Sequence, residues 1–157
     1  MNRQRIFEIV CVIALVIFIG FMSGEASYSD KTAAEVAETV TESYDVSELR
    51  HIKKNKIKEE FGIDFTLVDS FEYYASDSIM TVDELMIIKL KEEVRPEEIS
   101  AKIEKRVTDK QTLFEGYAPE QSALLKEYVL TCDKGFIFYA VGEGADEALA
   151  AFKSSVR

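Results

Sequence analysis

His51 is the single histidine of this chain, and Cys132 is the single cysteine outside an apolar N-terminal run. Nucleophilic or general-base chemistry would look first to these two side chains, and each stands alone. With one imidazole, a histidine-rich metal site is excluded and any His-based triad has to use His51. Cys132 has no partner for a disulfide within the domain, because Cys11 lies inside the apolar run. The expectation for it is a small buried hydrophobe rather than a nucleophile. The chain has no G-x-S-x-G elbow, H-E-x-x-H helix, C-x-x-C pair or phosphate-binding glycine loop.

Carboxylates could serve a glycosidase, which needs two of them facing one another. The adjacent pairs Asp83 and Glu84, Glu92 and Glu93, and Glu97 and Glu98 do not meet that need by themselves. Neighbouring residues point to different faces of a strand or helix. Asp69, Asp77 and Asp83 lack calcium-loop spacing. No catalytic residue, metal ligand or cofactor is assigned on these grounds.

One run could do electrostatic work. Residues 50–58 read RHIKKNKIK, placing Arg50, His51, Lys53, Lys54, Lys56 and Lys58 together in a chain of net charge −10. As an interaction patch it would meet wall polyanions or anionic lipid headgroups. As a bland feature it is a solvated helix face balanced by acids elsewhere. The overall negative charge disfavours nucleic acid as a partner.

The element that positions everything else is the N-terminus. Residues 9–22, IVCVIALVIFIGFM, carry no charge and follow Arg3 and Arg5. A hydrocarbon core needs roughly 20 helical residues, and residues 6–24 supply about 28 Å. Glu25 and Asp30 follow the run, so the basic leader stays in the cytoplasm and the rest faces outside. Two fates are open. Residues 1–24 form an uncleaved signal anchor at the plasma membrane, favoured by bulky Phe21 and Met22 near the exit. Alternatively they form a signal peptide cleaved near Gly24 and Ala26, giving a secreted protein. Cys11 sits too early, behind Val10, for a lipoprotein signal.

Residues 25–31 read as a linker and residues 32–157 as one α+β domain. Thr32 and Glu35 have capping-box spacing before a helix whose inner face is Ala33, Val36, Ala37, Val40 and Tyr44. A second helix is expected over 46–61 on Leu49, Ile52, Ile57 and Phe61, stopped by Gly62. Strands are expected over 68–75 and 85–90, joined through Asp77 and Ser78. Pro96 and Pro119 open two helices, the first on Ile99, Ile103, Val107 and Phe114, the second with Ala123 and Leu124. A second hairpin spans 128–132 and 136–141 around Asp133, Lys134 and Gly135, and the last helix carries Ala145, Ala148, Leu149, Phe152 and Val156. The order ααββααββα predicts a four-stranded antiparallel sheet of two hairpins, with helices packed against one face. Tyr73 and Tyr74 are expected in its core.

Three stretches carry a likeness to a known family. They are Phe114-x-Gly116-Tyr117-x-Pro119-Glu120-Gln121, the strand GFIFYAV at 135–141, and DELMIIKLK at 83–91 with the Glu-rich helix after it. With these the chain resembles the uncharacterised bacterial family catalogued as domain of unknown function 4358, across about residues 32–153. The resemblance implies a bacterial envelope location and supplies no activity, so no catalytic residues are carried over. The motif residues Phe114, Gly116, Tyr117, Pro119 and Glu120 are read as structural, with Tyr117 packing on the second hairpin. The expectation is a membrane-anchored, extracytoplasmic accessory or binding module of the cell envelope. It contacts the membrane through residues 6–24 and an envelope protein or polymer through its domain. The alternatives are a small envelope-glycan hydrolase or transferase using carboxylates, and a secreted inhibitor.

Overall fold

Two segments, β3 (Glu84–Leu90) and β5 (Phe136–Val141), are buried at consecutive positions rather than at alternate ones. Strands of that composition need cover on both faces, and here both faces are covered. The computed structural model describes residues 28–157. The expected membrane segment, 1–24, lies outside the described residues. Among the described residues, no helix is long and apolar enough to cross a membrane.

β3 and β5 pair antiparallel at the centre of a five-stranded sheet that runs β1 (Arg50–His51), β2 (Val68–Ala75), β3, β5, β4 (Val129–Asp133). β2 joins β3 on one side, and β4 joins β5 on the other. On one face, α1 (Ala33–Thr41) and α5 (Ala145–Ser155) pack on Leu85, Ile87, Phe136, Phe138 and Ala140. On the other lie α2 (Lys54–Phe61), α3 (Pro96–Glu115) and α4 (Pro119–Lys126), against Met86, Ile88, Ile137, Tyr139 and Val141. The expected single helical layer is therefore corrected to two. The physical reason is legible in LMIIKL and FIFYAV, which offer apolar side chains to both faces at once.

The strand count is corrected from four to five. The helix expected over 46–61 breaks: Asp45 Oδ1 accepts the Ser47 amide at 2.8 Å, and β1 (Arg50–His51) pairs with Ala75 and Tyr74. The Ile52 amide then donates to the Tyr73 carbonyl at 2.7 Å. The free edge of β2 offered backbone partners, and helical periodicity alone does not register that competition. Only 54–61 is helical, ended by Gly62 at φ 64° as expected.

The other local signals hold. The Glu35 amide donates to Thr32 Oγ1 and the Thr32 amide to Glu35 Oε2, completing the capping box at α1. Pro96 and Pro119 sit in the first turns of α3 and α4. On α4 the buried side chains are Ser122 and Leu125, rather than Ala123 and Leu124. Tyr73 is fully buried.

Residues 28–31 lie along the sheet's far end. The Ser29 amide donates to the Lys134 carbonyl at 3.1 Å, and the Tyr28 ring covers Gly135 in the β4–β5 turn. The opposite end of the sheet carries the β2–β3 connection. Along β3 the two ends are about 20 Å apart.

Ser122 is 2 % exposed, and among the described residues its hydroxyl has no hydrogen-bond partner. Removing such a group recovers its desolvation cost and suits the helix, so Ser122→Ala should raise stability by about 0.5–1.5 kcal/mol. The measurement is the denaturation midpoint at unchanged slope. A lowered midpoint would mean that the hydroxyl has a partner in solution.

Candidate functional site: a charged cleft at the β2–β3 end

Glu84, the first residue of β3, shares the face of Met86 and Ile88 and is 2 % exposed. A carboxylate buried there has to be matched or neutralised. Four donors match it. Arg106 Nη1 reaches Oε2 at 2.7 Å and Nη2 reaches Oε1 at 2.8 Å, while Lys110 Nζ reaches Oε1 at 2.7 Å. The Tyr139 hydroxyl of β5 donates to Oε2 at 2.9 Å. Each carboxylate oxygen accepts two bonds, which fills its capacity.

Arg106 is a junction as well as a partner. Its Nη2 also donates to Glu60 Oε2 of α2 at 2.9 Å and to the Tyr73 hydroxyl of β2 at 3.4 Å. Its guanidinium lies 4.2 Å from the Phe61 ring centre. Lys56 Nζ approaches Glu60 Oε1 at 3.3 Å, extending the network toward solvent. Burial alone would raise the Glu84 carboxyl, but Arg106 and then Lys110 overcome it and hold the group below the usual carboxylate range. Burial and the Glu84 charge push the Tyr73 and Tyr139 phenols up, so both stay protonated.

Of this network, Lys56, Glu60, Tyr73, Glu84, Arg106 and Lys110 line a cleft of about 530 Å³ and form its floor. One wall is α3 and the α3–α4 turn, with Leu113, Phe114 and Tyr117; the other is the β2–β3 connection, with Asp77, Ile79, Thr81 and Asp83. The family-like motif builds the first wall. Tyr117 and Ala118 amides both donate to the Phe114 carbonyl, Pro119 starts α4, and Gln121 Oε1 accepts the Val82 amide at 3.0 Å. Gly116 caps α3, and Glu120 is exposed in the first turn of α4. Tyr117 does not pack on the second hairpin: it is 50 % exposed with its ring 5.1 Å from Phe114. Its neighbour on the motif, Phe114, takes the buried position instead.

Gly142 follows β5 where the chain passes close to Asp83 and Tyr44. At φ 127° its missing Cβ would lie 2.4 Å from Asp83 Oδ1 and 2.7 Å from the Tyr44 hydroxyl. That hydroxyl donates to the Val141 carbonyl at 2.5 Å.

The basic run does not form one face. Arg50 pairs with Asp77, His51 Nε2 lies 2.7 Å from Glu72 Oε2 and its ring lies against Tyr74. Lys53 precedes α2, Lys54 sits over the Phe65 ring, Lys56 meets Glu60, and Lys58 is exposed on α2. Only Lys56 of this group lines the cleft. Sequence reasoning missed Arg106 and Lys110. Their signal was present, since Ile99, Ile103, Arg106, Lys110 and Phe114 follow one helical stripe with two cations in it. Cys132 is exposed on edge strand β4, its sulfur 3.6 Å from Ser100 Oγ, which corrects the expected core position. Among the described residues, no three His, Cys, Asp or Glu side chains are grouped to hold a metal ion.

Glu84→Ala would leave Arg106 and Lys110 partly buried without their main partner, at a cost of about 3–5 kcal/mol. Because the folded-state value of Glu84 is depressed, its contribution is complete above the ordinary 4.5 and is lost as pH falls through the lower folded value. Acid titrations of stability should therefore show a weaker acid limb in Glu84→Gln than in the wild type. Cys132 should label in the native state with a thiol reagent, faster as pH rises, since partial burial pushes its thiol up despite the Ser100 hydroxyl. Complete protection until unfolding would return Cys132 to the core.

Comparison with known proteins gives one match. The family described as domain of unknown function (DUF4358) covers residues 42–142, from the end of α1 to Gly142, and so includes the whole sheet and every element of the cleft. No curated protein and no solved structure matches the chain. The chain belongs to the DUF4358 family, whose matched segment is the sheet together with the helices that cover its charged face.

Proposed function

We propose that this protein is an extracytoplasmic accessory module of the bacterial cell envelope, held to the plasma membrane by residues 6–24, that acts by binding. One observation carries the binding reading. The cleft combines a floor of committed charges with an exposed apolar mouth, Ile79 at 84 %, Leu113 at 62 % and Tyr117 at 50 % exposure. Apolar side chains held in water around a concavity are a recognition feature. The carboxylate-hydrolase alternative needs an acid kept protonated in the cleft. Glu84 is instead held ionised with every lone pair in use.

The placement rests on the sequence: a basic leader, an uncharged run of spanning size, and acidic residues after it. In that placement Tyr28 and Ser29 enter at the β4–β5 turn, so the cleft opens at the end of the domain away from the anchor.

A reporter fused after Arg157 should be active only outside the membrane, and reporter activity in the cytoplasm would reverse the topology. Ile79→Ser and Leu113→Ser together should abolish complementation while shifting stability by less than about 0.5 kcal/mol, as exposed positions do. Full complementation by that double variant, at normal abundance, would remove the cleft from the function.

A further inference from the structure

The β2–β3 connection is a crest between two hollows. On one side is the cleft already described. On the other is a hollow of about 520 Å³ whose titratable lining consists of Asp45, Glu48, Asp77 and Asp83. Among the described residues, no cationic side chain lines this second hollow; Arg50, outside the lining, pairs with Asp77, and the acidic excess rests on Asp45, Glu48 and Asp83. Asp77, Thr81 and Asp83 line both, so the crest is a shared wall rather than a lid over either. At its top stand Ile79 and Met80, 84 % and 54 % exposed. Among the described residues, Tyr28 is the one exposed large apolar side chain away from this end.

We propose that the crest docks a protein segment carrying an aliphatic anchor flanked by basic residues. The proposal rests on the binding reading above and names its partner. Charge complementarity selects the sign: carboxylates outnumber cations across the two hollows, and the chain as a whole carries −10. That field attracts a cationic partner and repels wall polyanions and anionic lipid. The crest itself carries aliphatic Ile79 and Met80, which match aliphatic side chains of a protein. The exposed aromatic ring at this end, Tyr117, stands on the opposite wall of the cleft, whereas a glycan would call for ring faces on the crest. A second copy is disfavoured as occupant, since an isologous contact would bring acidic hollow toward acidic hollow.

The test places a photoactivatable amino acid at Ile79 in the full-length chain, in intact cells, with the same group at Leu113 and at Glu38 on α1 for comparison. The expected result is a protein adduct from Ile79 whose cross-linked peptide is basic and aliphatic. Its yield should fall about tenfold in Glu48→Gln/Asp77→Asn and persist in Glu38→Gln, with each variant at equal abundance. An adduct to a second copy, to lipid or to an acidic segment overturns the proposal. So does a yield unchanged by the Glu48 and Asp77 substitutions. No adduct from Ile79 beside a specific one from Leu113 overturns the crest while leaving the cleft as a binding site. No adduct from any position overturns both.

Discussion

The carboxylate of Glu84 is the constraint around which the rest is arranged. It sits at the start of a central strand, on a face otherwise made of Met86 and Ile88. An unmatched charge there would cost several kcal/mol, comparable to the whole stability of a small domain. The match needs two cations one helical turn apart, so α3 can cross the sheet at only one rotation and one height. Arg106 and Lys110 meet that condition and carry Leu113 and Phe114 with them into the wall of the cleft. Tyr139 fixes β5 beside β3 from within the sheet, and Glu60 draws α2 onto α3. One ion cluster thus ties together three strands and the two helices α2 and α3 that lie on one face of the sheet.

The same cluster explains why the cleft has a polar floor and an apolar rim. Its charges are consumed by one another, so little of them is offered to a ligand. The exposed side chains lie above, on the α3–α4 turn and the β2–β3 connection. A bidentate Arg pair constrains both distance and direction, a constraint that Leu or Met at 106 and 110 would not impose.

Much of this architecture could be read from the chain, element by element. Thr32 with Glu35, Pro96, Pro119, Gly62 and the Asp133–Gly135 turn act locally, and each does what its chemistry dictates. What escaped depends on tertiary partners. β1 exists because β2 has a free edge, and the helical spacing of Leu49, Ile52 and Ile57 gives no hint of that. The second helical layer follows from the unbroken apolar runs of β3 and β5, which were legible as strands without the two-faced burial being drawn from them. Glu84 was visible as one of several acidic pairs, but its partners lie on another element. The cations on the α3 stripe were the clue to them. Cys132 lies on the same face as Leu130 and beside Ser100 of α3, but near the end of edge strand β4 it is left exposed, where a residue-type preference for burial gives the wrong answer.

The antiparallel pairing of β3 with β5 has a kinetic consequence. β2 and β3 can close as a hairpin early, because one short connection joins them. β5 lies beyond α3, α4 and β4 in the chain, so its docking carries the entropy of closing that long loop. Until it arrives, β3 presents an unpaired, almost uninterrupted apolar edge, the type of segment that recruits strands from other molecules. Refolding at high concentration is therefore most exposed to aggregation in the interval before residues 136–141 close the sheet.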